Sequence, residues 1–164
     1  MPTIYVCADL HFGHTKVALA RGFPNAAAHD AALRDAWMRT VTKRDVVYVL
    51  GDVFNQDWLQ DLPGTKKLVL GNHDQRPMSA YSKVFSKIYG SYEFDGCILT
   101  HIPVHPSQFG RYRLNVHGHT HDHSLADLRY VPVSMEVCPH YAPMPLRELI
   151  SKADSLFVGA TTVE

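Results

Sequence analysis

The segment DVVYVLGD, residues 45–52, predicts a short buried β-strand whose carboxyl end runs directly into a Gly-Asp pair. Two other apolar segments end in a similar way: TIYVCA (3–8) before Asp9, and KKLVL (66–70) shortly before Asn72. In an open α/β sheet, ligands collect at the carboxyl ends of the strands. Three strands in succession are therefore predicted to deliver an oxygen ligand to the same edge of a sheet.

Helices are predicted between these strands. In the segment 26–41, Leu33, Trp37 and Val41 recur at four-residue intervals and would share one face of a helix. Three further segments are predicted to be helical: NQDWLQDLP (55–63), MSAYSKVFSKI (78–88) and PLRELISKA (145–153).

The second half of the chain is richer in strands. SYEF (91–94) and CILTH (97–101) flank Asp95-Gly96, a favoured two-residue hairpin turn. Two further strands are predicted: RYRLNVHG (111–118) and LRYVPVSMEV (128–137). The order βαβαβα followed by several β segments indicates an α/β fold, in which a largely parallel unit continues into antiparallel strands and helices cover the sheet faces.

Length and charge narrow the possible classes of protein. A chain of 164 residues predicts one domain, 1–164. Lys plus Arg and Asp plus Glu are both 16, so the formal net charge is zero, which argues against binding to extended nucleic acid or to a membrane surface. With no signal peptide and no apolar run of membrane-spanning length, we expect a cytoplasmic protein. The oligomeric state is open.

The three cysteines, Cys7, Cys97 and Cys138, are widely spaced and odd in number. This arrangement argues against a disulfide framework or a structural zinc site. We expect reduced thiols that are mostly buried.

Histidine is the unusual residue of this composition, with 11 in the chain. Four of them, His117, His119, His121 and His123, occupy every second position of the segment HGHTHDH. In an extended strand they would share one face at a spacing of about 6.6 Å, too wide for two of them to hold one ion comfortably. A metal site and a polar, solvated strand edge would both explain the row.

Read in order, the chain contains the blocks DLH, GD, GNHD, LTH and GHTH, beginning at Asp9 and ending at His121. Carboxylates, imidazoles and one amide suit Zn²⁺, Mn²⁺, Fe or Co rather than Ca²⁺. These blocks resemble, in order, the pattern D-x-H, G-D, G-N-H-[DE], H, G-H-x-H of the calcineurin-like metallophosphoesterases. The segment ADLHFGH resembles the small bacterial and phage members of that family. The resemblance implies a metallophosphoesterase-like fold, a β-sandwich of two mixed sheets flanked by helices. The short intervals between blocks leave no room for a cap domain.

The resemblance also implies a ligand set for two divalent ions and the residues that act beside it. The expected metal ligands are Asp9, His11 and His121 for one ion, Asn72, His101 and His119 for the other, and Asp52 as the bridge between them. His73 would face the phosphate, oriented by Asp74, and would protonate the departing oxygen or stabilise its charge.

The implied activity is hydrolysis of a small phosphoester by in-line attack of a metal-bridging hydroxide. A phosphodiester is favoured, because an open site tolerates two ester arms. Mn²⁺ is the favoured metal by resemblance, with Zn²⁺, Fe or Co as alternatives. A phosphomonoesterase or nucleotide phosphatase, or a nuclease acting on short oligonucleotides, would use the same site. A catalytically silent interaction scaffold is the alternative from another class, and the complete set of blocks disfavours it.

Four further residues are candidates for substrate contacts: His14, Arg111, Arg113 and His123. A structural hydrogen bond would equally explain His14, and a solvated strand face would explain the two arginines. Of the histidine row, His117 is expected to be packed or to support a ligand, and His123 to lie in a solvated loop.

Overall fold

The computed structural model of the chain describes residues 1–161, which form two β-sheets flanked by helices. The first sheet has the strand order β4-β3-β2-β1-β9 and the second the order β5-β6-β7-β8. The strands are β1 Ile4–Cys7, β2 Val46–Val49, β3 Thr65–Val69, β4 Lys87–Tyr89, β5 Tyr92–Phe94, β6 Cys97–Thr100, β7 Leu114–His117, β8 Tyr130–Pro132 and β9 Met144–Pro145.

Both sheets are mixed. Strands β1 to β4 are parallel and β9 runs antiparallel to β1, while β6, β7 and β8 are parallel and β5 runs antiparallel to β6. The predicted fold class, two mixed sheets flanked by helices, is confirmed. The hairpin at Asp95-Gly96 is confirmed too: Phe94 pairs with Cys97, and both turn residues have positive φ, 51° and 71°, as a type I′ turn requires.

Four α-helices and three short 3₁₀ helices complete the described chain. They are α1 Thr15–Ala20, α2 Ala26–Thr40, α3 Met78–Tyr81 and α4 Leu146–Thr161, with 3₁₀ helices at Gln56–Leu59, Pro106–Gly110 and Pro139–Tyr141. The Asn25 side chain caps α2 by accepting a 2.8 Å hydrogen bond from the Ala28 N–H. On the predicted apolar face, Trp37 is buried and its indole N–H donates to the Pro63 carbonyl at 2.9 Å.

The central strands are buried on both faces, which explains why they form continuous apolar runs in the sequence. In β2, Val47 and Val49 face the helices, whereas Tyr48 and the following Leu50 pack into the space between the two sheets. All three cysteines are buried and free, as predicted. Within residues 1–161, no helix has both the length and the apolar character needed to cross a bilayer.

Several predicted elements differ from those observed. The helix expected over 78–88 ends at Tyr81. The end of the expected segment is extended instead, because Lys87–Tyr89 pairs in parallel with β3. The helix expected over 55–63 is a single 3₁₀ turn at Gln56–Leu59, and the strand expected over 128–137 is shortened to β8. Helix α1, which begins after a cap by the His14 side chain, was not predicted.

Candidate metal centre

The predicted ligands lie where the carboxyl ends of strands from both sheets meet. The loop after β1 is joined to the loop after β2 by three backbone hydrogen bonds of 3.0 Å, from the N–H groups of Asp9, His11 and Phe12 to the carbonyls of Gly51, Asp52 and Val53. The loops after β6 and β7 are joined in the same way, since Gly118 N–H donates to the His101 carbonyl at 3.0 Å. The β-sandwich therefore gathers loops that are far apart in sequence.

All seven predicted metal ligands are brought together at this place. The side chains of Asp9, His11 and His121 form one group of potential metal ligands, and those of Asp52, His101 and His119 form a second, with ligand atoms within 4.8 Å of one another in each group. The amide oxygen of Asn72 joins the second group, 2.9 Å from His101 Nε2.

Asp52 lies between the two groups. Its Oδ2 atom is 3.7 Å from His11 Nε2 of the first group, and its Oδ1 atom is 3.3 Å from His101 Nε2 of the second. The two oxygens of one carboxylate thus face two different ligand groups.

The donor atoms fit a divalent metal ion. Asp9 Oδ1 and His11 Nε2 are buried without a hydrogen-bond partner among residues 1–161 and lie 3.9 Å apart. Two ligands at about 2.0–2.2 Å from one ion would lie roughly 3–4 Å apart. Leaving such polar atoms buried and unpaired is costly, and a bound cation would satisfy both of them.

The ligand loops use backbone conformations that L-residues adopt rarely. Asp9, His11, Asp52, His119 and His121 have φ values of 58°, 48°, 55°, 69° and 54°. Each such residue costs of order 1–3 kcal/mol, so the surrounding contacts must hold it in place. Concentration of this strain on proposed metal ligands is typical of a functional site.

The histidine row does not form one extended strand. Strand β7 ends at His117, and the following residues turn away from the sheet. The chain turns at Gly118 because this residue packs closely against the loop that carries Asp9. A Cβ atom on Gly118 would lie 2.5 Å from Ala8 Cβ and 2.8 Å from Asp9 Oδ2. The spacing of about 6.6 Å therefore does not apply, and His119 and His121 reach separate ligand groups through a turn.

Hydrogen bonds orient two of the proposed histidine ligands. His101 Nδ1 lies 2.8 Å from the Leu50 carbonyl, and His121 Nδ1 lies 2.7 Å from Glu136 Oε1. Because both partners accept hydrogen bonds, each ring carries its proton on Nδ1 and turns Nε2 towards the site.

Burial and neighbouring groups set the charges of the site. Burial lowers the pKa of His11 to about 3, so its imidazole is neutral and has a lone pair to offer a metal. Burial alone would raise the pKa of Asp52, but the neighbouring His101 imidazole and the hydrogen bond from the His73 N–H outweigh it and lower that pKa. The Asp52 carboxylate is therefore ionised near neutral pH.

His73 is exposed beside the ligand groups, with its ring centroid 5.4 Å from that of His11. Its backbone N–H donates to Asp52 Oδ1 at 2.9 Å, which ties its position to the proposed bridging carboxylate. This placement leaves the His73 side chain free to meet a substrate.

Asp74 has different contacts from those that the sequence predicted. Its carboxylate accepts three backbone hydrogen bonds of 2.9 Å, from Asp52, Val53 and Gly71, rather than one from the His73 side chain. Asp74 is buried, and its described hydrogen bonds hold the two Gly-containing ligand loops together. These contacts shape the two loops, and the role of orienting His73 stays a prediction.

The four candidates for substrate contact separate in the structure. The His14 ring lies near His11 and His73, with centroids at 5.5 and 6.2 Å, although its Nδ1 also caps α1. Arg113 precedes β7, at the end of the strand away from the ligands, and pairs with Asp95 and Asp154, so its contact with substrate stays a prediction that this position does not support.

The other two candidates have no described contact with the ligand groups. The Arg111 guanidinium lies 5.4 Å from the ring centroid of Tyr112. His123 is 87% exposed and pairs with Asp122 at 2.9 Å, whereas His117 is fully buried and packs against Tyr130.

Sequence analysis missed Ser134 and Glu136, both of which support proposed ligands. Ser134 Oγ donates to Asp9 Oδ2 at 2.6 Å, and Glu136 accepts the hydrogen bond from His121. Both residues follow the carboxyl end of β8, so the rule that found Asp9 would have found them too. They were hidden because 128–137 was interpreted as one continuous strand.

With the site described, comparisons with known proteins identify the family. A model of the calcineurin-like phosphoesterases matches residues 2–137. The Gene 66 protein of Mycobacterium phage D29 is 29% identical in an alignment that covers 92% of this chain and 97% of the phage protein. An uncharacterized protein of Methanocaldococcus jannaschii is 30% identical in an alignment that covers 93% of this chain and 91% of the archaeal one.

The fold agrees with a solved structure. The crystal structure of a protein of unknown function from Aquifex aeolicus matches with a TM-score of 0.75 at 21% identity, over 93% of this chain and 100% of that one. The chain belongs to the calcineurin-like phosphoesterase family, a membership that indicates metal-dependent hydrolysis of phosphoesters.

Replacing His123 with alanine is expected to leave the metal content unchanged, because its exposed side chain lies outside both ligand groups. The matched variant His121→Ala should lose one equivalent of metal. Elemental analysis of both proteins after dialysis against metal-free buffer measures this difference. Loss of an equivalent from His123→Ala would mean that the histidine row is a ladder of ligands after all.

Proposed function

We propose that this chain is a phosphodiesterase that works with two divalent metal ions. The observation that carries the proposal is the position of Asp52, whose two oxygens lie 3.7 and 3.3 Å from histidine nitrogens of the two ligand groups. A carboxylate shared in this way lowers the repulsion between two cations about 3.5–4 Å apart.

The proposed ligands divide as the sequence implied. Asp9, His11 and His121 would hold one ion and Asn72, His101 and His119 the other, with Asp52 shared. Two bound divalent ions would lower the pKa of water and offset the charge of the phosphoryl oxygens. Mn²⁺ is the proposed metal, and the oxygen and imidazole donors would also accept Zn²⁺, Fe or Co.

The chain's own residues would complete the chemistry. The exposed His73 is held next to Asp52 and would give a proton to the departing ester oxygen. Asn72, His73 and His119 are all exposed, so the site opens to solvent. An open site leaves room for both arms of a small phosphodiester, and the zero net charge favours a small substrate over extended nucleic acid.

The test compares hydrolysis of bis-p-nitrophenyl phosphate with that of p-nitrophenyl phosphate by metal-stripped protein, before and after reconstitution with Mn²⁺. We expect metal-dependent release of p-nitrophenol, faster from the diester. Faster release from the monoester would support a phosphomonoesterase instead. Two bound metal ions without turnover of either compound would contradict the proposal and favour the interaction scaffold.

A further inference from the structure

A buried arginine lies directly behind the first ligand group. Arg21 caps the carboxyl end of α1, far in sequence from the ligands in the second half of the chain, and its side chain is 2% exposed. Its guanidinium donates to the Asp9 carbonyl at 2.7 Å and to the Leu10 carbonyl at 3.4 Å. It therefore holds the backbone of the loop that carries Asp9 and His11.

The same guanidinium reaches the loop of His121 through Glu136. Arg21 Nε donates to Glu136 Oε1 at 2.8 Å, and that oxygen also accepts the 2.7 Å hydrogen bond from His121 Nδ1. One carboxylate oxygen of Glu136 is thus the shared hydrogen-bond acceptor of Arg21 and His121.

A histidine contacts the Arg21 guanidinium and is itself held by an aspartate. His29 is fully buried, and its Nδ1 lies 2.8 Å from Asp30 Oδ1. Asp30 Oδ2 in turn accepts the Gly13 N–H at 2.8 Å. With its proton on Nδ1, His29 offers the Nε2 lone pair to Arg21 Nη1 at 2.9 Å.

We propose that Arg21 and Glu136 form a clamp that positions the Asp9–His11 loop and His121 as one unit and thereby sets the metal affinity of the first ligand group. The second group has its own support, since His101 is oriented by the Leu50 carbonyl. The clamp should therefore act on one ion of the two. This inference rests on the proposed function only in assuming that the first group binds metal.

The geometry favours arginine over lysine at this position. The planar guanidinium directs donors to three carbonyl or carboxylate oxygens and one imidazole at the same time. A lysine ammonium is a compact charge that cannot reach all of them with defined directions. Loss of a residue that orients a metal ligand typically lowers metal affinity about 10–100-fold.

The test measures metal retention in Arg21→Lys and Glu136→Gln by equilibrium dialysis across a series of buffered free Mn²⁺ concentrations. The control is Arg34→Lys, since Arg34 also makes a paired interaction with a carboxylate, Asp61, but on the surface away from the ligands. In both clamp variants we expect one of the two ions to require about 10–100-fold more free Mn²⁺. The other ion should bind as in the wild type and in the control.

Circular dichroism melting of the metal-free proteins separates this effect from unfolding. If Arg21→Lys does not fold, the test of the clamp relies on Glu136→Gln, which keeps the shape of the side chain. Wild-type affinity for both ions in the folded variants would overturn the clamp, and so would an equal loss of both. A clamp effect in a protein that hydrolyses neither phosphoester would contradict the proposed function alone, whereas an active enzyme without the effect would contradict the clamp alone.

Discussion

Replacing Asp52 with asparagine is expected to weaken the binding of both metal ions and to abolish most of the hydrolysis. Asparagine keeps the shape of the side chain but removes the charge shared by the two ligand groups, and it places an N–H₂ group, or a neutral oxygen, 3.7 Å from His11 Nε2. Losing a metal's stabilisation of the transition state costs several kcal/mol, which corresponds to roughly a 10²–10⁴-fold fall in rate.

Elemental analysis and hydrolysis of bis-p-nitrophenyl phosphate measure the two effects in one preparation. Asp61→Asn is the matched control, because Asp61 is a surface carboxylate, 70% exposed, that pairs with Arg34. The control should keep both ions and the full rate. Two tightly bound ions in Asp52→Asn would contradict the assignment of Asp52 as the shared ligand, even if the rate fell.

The sequence was informative wherever a local pattern determined the outcome. Strands β1, β2 and β3 are short apolar runs that end at ligand-bearing loops, so the position of Asp9, Asp52 and Asn72 on one edge followed from the sheet rule alone. The α2 helix was equally predictable, because its apolar residues recur at helical spacing. The resemblance to a family then supplied the division of the ligands between two ions.

Contacts between distant segments explain most of the misses. Lys87–Tyr89 becomes a strand because it pairs with the edge of β3, about twenty residues earlier in the chain. The sequence pattern within 78–88 does not indicate this pairing. Ser134 is held by a bridge to Ala8 at the other end of the chain. Local propensity carries no information about such partners, and tertiary pairing overrides it.

The backbone conformation of the ligand loops could not be predicted from the sequence either. Histidine and aspartate at positive φ are several-fold enriched over most residues, but still uncommon, so nothing in GHTH indicates that His119 and His121 leave the extended conformation. The conformation follows from the close contact between Gly118 and the Asp9 loop, which only the folded chain contains. The same holds for Asp74, whose three backbone partners come from two separate loops.

Replacing His73 with alanine is expected to leave both metal ions bound and to lower the rate by roughly the 10²–10⁴-fold typical of a lost general acid. The side chain is exposed and lies outside both ligand groups, whereas the backbone N–H that bonds to Asp52 is retained in alanine. Metal content therefore reports on folding of the site, and the rate reports on the imidazole.

The identity of the leaving group makes this prediction sharper. A p-nitrophenolate ion departs readily without a proton, whereas an alkoxide needs one, so a general acid matters more for an alkyl ester. His73→Ala should therefore lose more activity on a diester with an alkyl leaving group than on bis-p-nitrophenyl phosphate. His105→Ala is the control, because His105 is exposed and its side chain bonds only to Ser107 among the described residues. An equal loss on both esters would assign His73 to binding the phosphate rather than to proton transfer, and an unchanged kcat on both would remove it from the reaction.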